Sequence, residues 1–97
     1  MRLKYTAAAK RDISGLYRAS LLGFGSAHAD RYLHRLEGAL ASLTEFPSAS
    51  AERSEYRGNV RIRRFEAHHI IYTVAAGQVL VVRVLHGRQD LQKYLER

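Results

Sequence analysis

The stretch from Val60 to Asp90, VRIRRFEAHHIIYTVAAGQVLVVRVLHGRQD, restricts the fold more than any other part of the chain. Val, Ile, Phe and Tyr dominate it, and branched and aromatic side chains pack well on a pleated, half-buried surface. Two short breaks divide it into three β-rich runs; in the second, AAGQ, Gly77 can take the positive φ of a tight hairpin. An antiparallel meander is predicted. Successive strand residues point to opposite sides, so Arg61, Arg63 and Phe65 share one face while Val60, Ile62 and Arg64 share the other. By the same alternation Leu80, Val82, Val84 and His86 fall on one side of the last run, and Val79, Val81, Arg83 and Leu85 on the other. Both sides are mostly apolar. That predicts a strand in the middle of a sheet, covered on both faces and followed by the polar tail HGRQD.

The residues before the meander supply its cover. Arg2 to Thr6 alternates polar and apolar and reads as a short strand that joins the meander's edge. Thr6 is placed to cap a helix over AAAKRDISGLYRASLL, in which Ala9, Ile13, Leu16, Tyr17 and Leu21 recur at helical spacing, and Gly15 weakens the middle. The glycines of GFGS break that helix, and Ser26 is the expected N-cap of a second one from Ala27 to about Glu45. Its apolar stripe is Ala29, Tyr32, Leu33, Leu36, Ala39, Leu40 and Leu43, and Pro47 stops it. Two helices joined by a short glycine turn predict an antiparallel hairpin packed on one face of the sheet. Ser48 to Asn59 reads as a loop containing Tyr56 and Gly58. The closing QDLQKYLER suits a short helix, with Asp90 near its positive end and Leu91 and Leu95 on one face. The fold class is α+β: an N-terminal strand, a two-helix hairpin on one face of a mostly antiparallel sheet, and a C-terminal three-strand meander.

Composition narrows the class of function. A hydrophobic fraction of 46% beside 26% charged residues is that of a folded globular chain, and 97 residues are expected to form one domain spanning 1–97. Without cysteine there is no disulfide, no thiolate chemistry and no cysteine-based zinc site. The N-terminus lacks the apolar core of a signal peptide and no run is long enough for a membrane span, so a cytoplasmic protein with no membrane partner is expected. A net charge of +7 calls for an acidic partner, whether nucleic acid, protein or anionic membrane surface.

The order of these elements and three local signatures resemble the toxins of the RelE/ParE superfamily, and within it the ParE branch, over nearly the whole chain. The signatures are YTAAAKRDISGLY, FGSAHADRYLHRLEGALASLTEFP, and YRGNVRIRRFEAHHIIYTVAAGQVLVVRVLHGRQD. In the last, Arg61 or Arg63 precedes His69, Ile71 and Tyr72 at the family's spacing, and RVLHGRQD is close to the ParE ending. The resemblance implies the toxin of a type II toxin-antitoxin pair, bound by a cognate ParD-like antitoxin in a hetero-oligomer and poisoning DNA gyrase. Another branch of the superfamily consists of ribosome-dependent messenger RNA endonucleases of the RelE type. Fold cannot choose between these two activities.

RNA cleavage without a metal needs a base, a cation for the phosphorane and an acid for the leaving oxygen. The residues of those types in the meander are Arg61, Arg63, Glu66, Tyr72, Arg83 and His86. The nuclease branch has a further aromatic or basic group near the end of its last strand. Here Gly87 follows His86. That departure favours a binding-type toxin with no catalytic residues, with Arg83, His86, Arg88 and Asp90 as the target-binding set. Arg83, set among apolar residues, needs a partner, for which Asp90 or Glu66 is the candidate. His86 is as well suited to closing the turn before Gly87. Tyr72 is expected to fill the core with its hydroxyl at the rim. An acidic antitoxin segment is expected to bind Arg61, Arg63 and Arg64, with Leu33, Leu36 and Leu40 lining a groove, and no sequence-specific nucleic-acid contact is expected. His68 and His69 are adjacent and so point to opposite faces, and His28 and His34 do not share a helical face; neither pair suits a metal. No cofactor is expected.

Overall fold

In a computed structural model, residues 1–96 can be described, and the final arginine is left aside. The elements are β1 (Arg2–Tyr5), α1 (Ala7–Phe24), α2 (Ser26–Glu45), β2 (Arg61–Phe65), β3 (His68–Ala75), β4 (Gln78–His86) and α3 (Gly87–Leu95). The sheet order is β1-β4-β3-β2. β2, β3 and β4 form the expected antiparallel meander, and β1 lies parallel to β4 at one edge. The hairpin between β3 and β4 turns through Ala76 at φ 52 and Gly77 at φ 72. Two positive φ values make this a type I′ turn, whose twist matches that of the strands it joins.

Thr6 caps α1 as its position suggests, accepting from the Ala9 N–H at 3.0 Å. Gly15 does not interrupt the helix, which ends only at Gly25, φ 88. The cap of α2 departs from expectation: Ser26 is its first helical residue, Gly25 occupies the N-cap, and no side chain caps it. A short hairpin turn leaves no room for a separate capping residue, so Gly25 serves both helices.

The two faces of the sheet bury different clusters. Toward the helical hairpin, Ile70, Tyr72, Val79, Val81 and Val84 meet Ala9, Leu36, Ala39, Leu40 and Leu43. Tyr72 is fully buried and its hydroxyl donates to the Pro47 carbonyl at 3.0 Å, so its polar tip is satisfied where α2 ends. On the other face Val60, Ile71 and Leu85 are buried beneath Tyr56, Ile62, Val82, Leu91, Tyr94 and Leu95. The expected C-terminal helix is therefore anchored, by the face carrying Leu91 and Leu95 together with Tyr94.

β4 corrects the simple alternation. Ile71 pairs with Arg83 but Tyr72 pairs with Val81, so Val82 is an extra residue, a bulge. Each bulge shifts the side-chain phase by one. Before it Val79 and Val81 face the helices; after it Val84 does, while Val82 and Leu85 join the opposite cluster. The predicted shared face of Leu80, Val82, Val84 and His86 is thus broken between Val82 and Val84.

The bulge falls where β1 stops. β1 covers β4 only along Gln78 to Val81, leaving the next backbone groups at an open edge. Side chains take them up. The Thr6 hydroxyl donates to the Val82 carbonyl at 2.7 Å, and an Asp12 carboxylate oxygen accepts from the Val84 N–H at 2.9 Å. One carboxylate on α1 thereby does the work of a missing strand residue.

Candidate functional site

The re-phased end of β4 opens onto a cleft of about 710 Å³ between the helical hairpin and the β2–β3 turn. One wall is α1, contributing Arg11, Asp12, Gly15, Leu16 and Ala19; the other holds His68, Arg83, His86 and Asp90. Phe24, His28, Tyr32 and Arg35 close the end nearest the hairpin turn, together with Glu66. Its polar groups are mostly already paired.

Arg83 binds Asp12 through two contacts, Nε at 2.7 Å and an Nη at 3.1 Å. The hydrogen bonds to Asp12 hold its guanidinium above the ordinary arginine range, against the opposing effect of burial. The expected partners, Asp90 and Glu66, are not the ones used. Glu66 instead accepts from Arg35 at 2.9 and 3.3 Å, and that hydrogen bonding is the main reason its carboxyl lies below the usual range. Asp12 was reachable only through the chain's folding, since it lies on α1 and no local pattern links it to β4.

His68 is the buried member of the site, 7% exposed. Its Nδ1 lies 2.7 Å from the Tyr32 hydroxyl, and its ring sits 4.8 Å from the ring of His86, its cross-strand partner. Burial, then the neighbouring His86, push its pKa below the ordinary imidazole value. Burial likewise raises the Tyr32 hydroxyl, with Glu66 adding to the effect. Among the described residues, Nε2 of His68 is buried with no hydrogen-bond partner.

The residues predicted for target binding separate. Arg83, His86 and Asp90 line the cleft, whereas Arg88 is exposed on α3 outside it. The predicted antitoxin set fares differently. Leu36 and Leu40 are 1% and 3% exposed in the main core, so they have no surface to offer a groove; Leu33 alone is half-buried outside both clusters. Arg61 donates to the Ser50 carbonyl at 2.6 Å and sits 3.8 Å from Glu52. Arg63 reaches the Ala39 carbonyl at 3.2 Å and the Ser42 hydroxyl. These two arginines staple β2 to the loop and to α2. Only Arg64 stays exposed, donating from Nε to the Glu66 carbonyl at 3.1 Å. Tyr32, taken in sequence as part of the core stripe, and His68, weighed only as a metal ligand, are the site residues that sequence reasoning passed over. Among the described residues no group of three or more His, Asp or Glu side chains is arranged to hold a metal ion.

A strand, a helical hairpin and a meander with a polar cleft at the end of its last strand define the architecture of a RelE/ParE-type toxin. Comparison with known proteins narrows this. The profile of the ParE toxin of the type II toxin-antitoxin system, parDE, matches residues 3–91, and the chain belongs to that family. It is 34% identical over 91 residues to Toxin ParE of Escherichia coli, covering 93% of this chain and 88% of that protein. With Toxin ParE3 of Caulobacter vibrioides it shares 26% identity over 84 residues, 87% of this chain and 84% of the relative. A solved chain of the chromosomal ParDE TA system from P. aeruginosa superposes with a TM-score of 0.78 at 22% identity, covering 91% of this chain and 97% of that one. No helix among the described residues is long and apolar enough to cross a membrane.

Proposed function

We propose that this ParE-family toxin acts by binding DNA gyrase and blocking replication, without catalysis of its own, and that a cognate ParD-like antitoxin neutralises it by covering the cleft. The observation that supports a binding role is how the charged groups are used. Of the residues suited to nuclease chemistry, Arg61, Arg63, Arg83 and Glu66 all have internal partners, and Tyr72 donates to a backbone carbonyl within the core. A guanidinium that stabilises a phosphorane must be free to meet it. Among the described residues of that set only His86 is without a side-chain hydrogen-bond or ion-pair partner, and a lone imidazole supplies neither the base-and-acid pair nor the cation.

The cleft suits a protein segment better than a nucleotide. Its α1 wall carries Gly15, Leu16 and Ala19, and nothing lies within 4 Å of where a Cβ on Gly15 would sit, so the backbone of a docked helix can approach closely. Arg11 and the basic surface, with a net charge of +7, favour an acidic segment.

The test is direct. Purified toxin incubated with gyrase, ATP and supercoiled DNA is expected to accumulate linear, protein-linked DNA, and preincubation with the product of the adjacent reading frame is expected to abolish this. Cleavage of messenger RNA in a translating-ribosome assay, with gyrase unaffected by excess toxin, would overturn the proposal in favour of the endonuclease reading.

A further inference from the structure

We infer that His68 and His86 form an oxyanion subsite within the cleft, made to hold a single carboxylate side chain of a bound protein segment. This rests on the reading of the cleft as a protein-docking surface and adds the chemistry of its anchor. The first observation is the orphaned nitrogen. His68 is 93% buried by its 7% exposure, and buried polar atoms in native proteins are almost always paired. Its Nδ1 lies 2.7 Å from the Tyr32 hydroxyl, which has no other hydrogen-bond partner among the described residues, and that hydroxyl is assigned as the donor. A neutral imidazole that accepts at Nδ1 carries its proton on Nε2. The unpaired atom is thus an N–H donor at the wall of the cleft.

The second observation is the ring lying against it. His86 is exposed, sits at the end of β4 just before Gly87 at φ 73, and makes no side-chain cap to α3. The two ring centroids are 4.8 Å apart, and the exposed His86 ring must turn aside for the His68 N–H to be uncovered with a second imidazole N–H beside it. Two adjacent donors match the two oxygens of a carboxylate.

The surrounding charges favour one negative charge over two. His28, Tyr32 and Arg35 face His68 from α2, Glu66 from the β2–β3 turn, His69 from its own strand and His86 from β4. Arg35 is occupied by Glu66 and Arg83 by Asp12, while Asp90 brings a further carboxylate to the rim. A dianionic phosphate would meet Glu66 and Asp90 with Arg11 as the one cleft arginine, among the described residues, not already in an ion pair. A monoanion held by imidazole N–H groups avoids that repulsion, and Leu16, Ala19 and Phe24 flank it with apolar surface for the chain that bears it.

Imidazole ¹H–¹⁵N correlation spectra of the full chain, titrated with sodium acetate against sodium chloride at equal ionic strength, test this. Saturable shifts at His68 Nε2 and at His86 are expected with acetate, with His34 unmoved. Replacing His86 by Ala is expected to weaken acetate binding about tenfold or more, the loss of one hydrogen bond to a charged group, with H86Q retaining more of it than H86A. Shifts no larger than those with chloride, or unchanged in H86A, would overturn the subsite; saturation by inorganic phosphate in preference to acetate would overturn the carboxylate assignment. Neither failure bears on gyrase trapping, and loss of gyrase trapping leaves the acetate result standing.

Discussion

The two faces of one sheet are built from the same four strands, yet they are closed in different ways. Beneath the helical hairpin, Leu36, Leu40 and Leu43 are buried against Ile70, Tyr72, Val79, Val81 and Val84. On the opposite face, among the described residues, only Val60, Ile71 and Leu85 are buried, and their roof is α3, a helix with no fully buried residue of its own. Hydrophobic stabilisation scales with apolar area removed from water, so most of it comes from the first face. The second face is closed by a short amphipathic element hung from Gly87 at φ 73, a backbone state that glycine adopts without strain. Helices attached through so few buried contacts open locally before the whole domain unfolds.

Cutting one apolar side chain from each face should separate the two closures most strongly. Leu36→Ala is expected to destabilise the domain by about 2–5 kcal/mol, the range for an enclosed leucine, whereas half-buried Leu91→Ala should cost only about 1 kcal/mol. Urea unfolding of both variants measures this, and equal losses would mean that α3 is as integral as the hairpin.

Asp12 ties the first face to the sheet edge. Asp12→Ala removes the acceptor of the Val84 N–H and strands Arg83, a partly buried cation, so a loss of about 2–3 kcal/mol is expected. Because the contact is internal, D12A should behave alike at low and high salt. A strong salt dependence of the loss would place the pair in solvent instead.

A smaller effect belongs to the start of β3, where His68 and His69 point to opposite faces. The pKa values of His68 and His69 are both lowered, chiefly by burial, so the unfolded chain takes up their protons first as pH falls. Stability is therefore expected to decline as pH drops below the ordinary imidazole value of 6.5 and to level off once the native groups also protonate. Thermal unfolding between about pH 7.5 and about pH 5 follows this, and the slope should flatten in His68→Gln. An unchanged slope would remove His68 from the account.

The smallest expected change concerns both faces equally. Ala76 holds φ 52 in the type I′ turn, a region where asparagine is better tolerated than alanine. Ala76→Asn is expected to raise stability by up to about 1 kcal/mol, read as a higher urea midpoint with an unchanged slope.

Much of this molecule was legible in its residues. The meander, its Gly77 hairpin, the Thr6 cap, the buried role of Tyr72 and the order of elements all depend on periodicity or on neighbours close in the chain. The candidate site was less so. Arg83 was recognised as needing a partner, but Asp12 stands 71 residues away, beyond any local pattern. Arg61, Arg63, Leu36 and Leu40 looked available to a partner because sequence records a residue's type and spacing but not what the fold places against it. His68 was dismissed as a ligand on the correct ground that it opposes His69, a test blind to its cross-strand neighbour His86.

The amino-acid order alone determined which segments became strands and helices, because repeat distance and turn chemistry act over a few residues. Tertiary structure decided where the cleft would lie. β1 ends at Tyr5 and covers only the first half of β4, the freed edge is satisfied by Thr6 and Asp12, and the extra residue Val82 shifts the strand's phase so that His86 pairs across to His68. A one-residue slip in register reverses every side chain beyond it, and that slip is set by the meeting of distant elements.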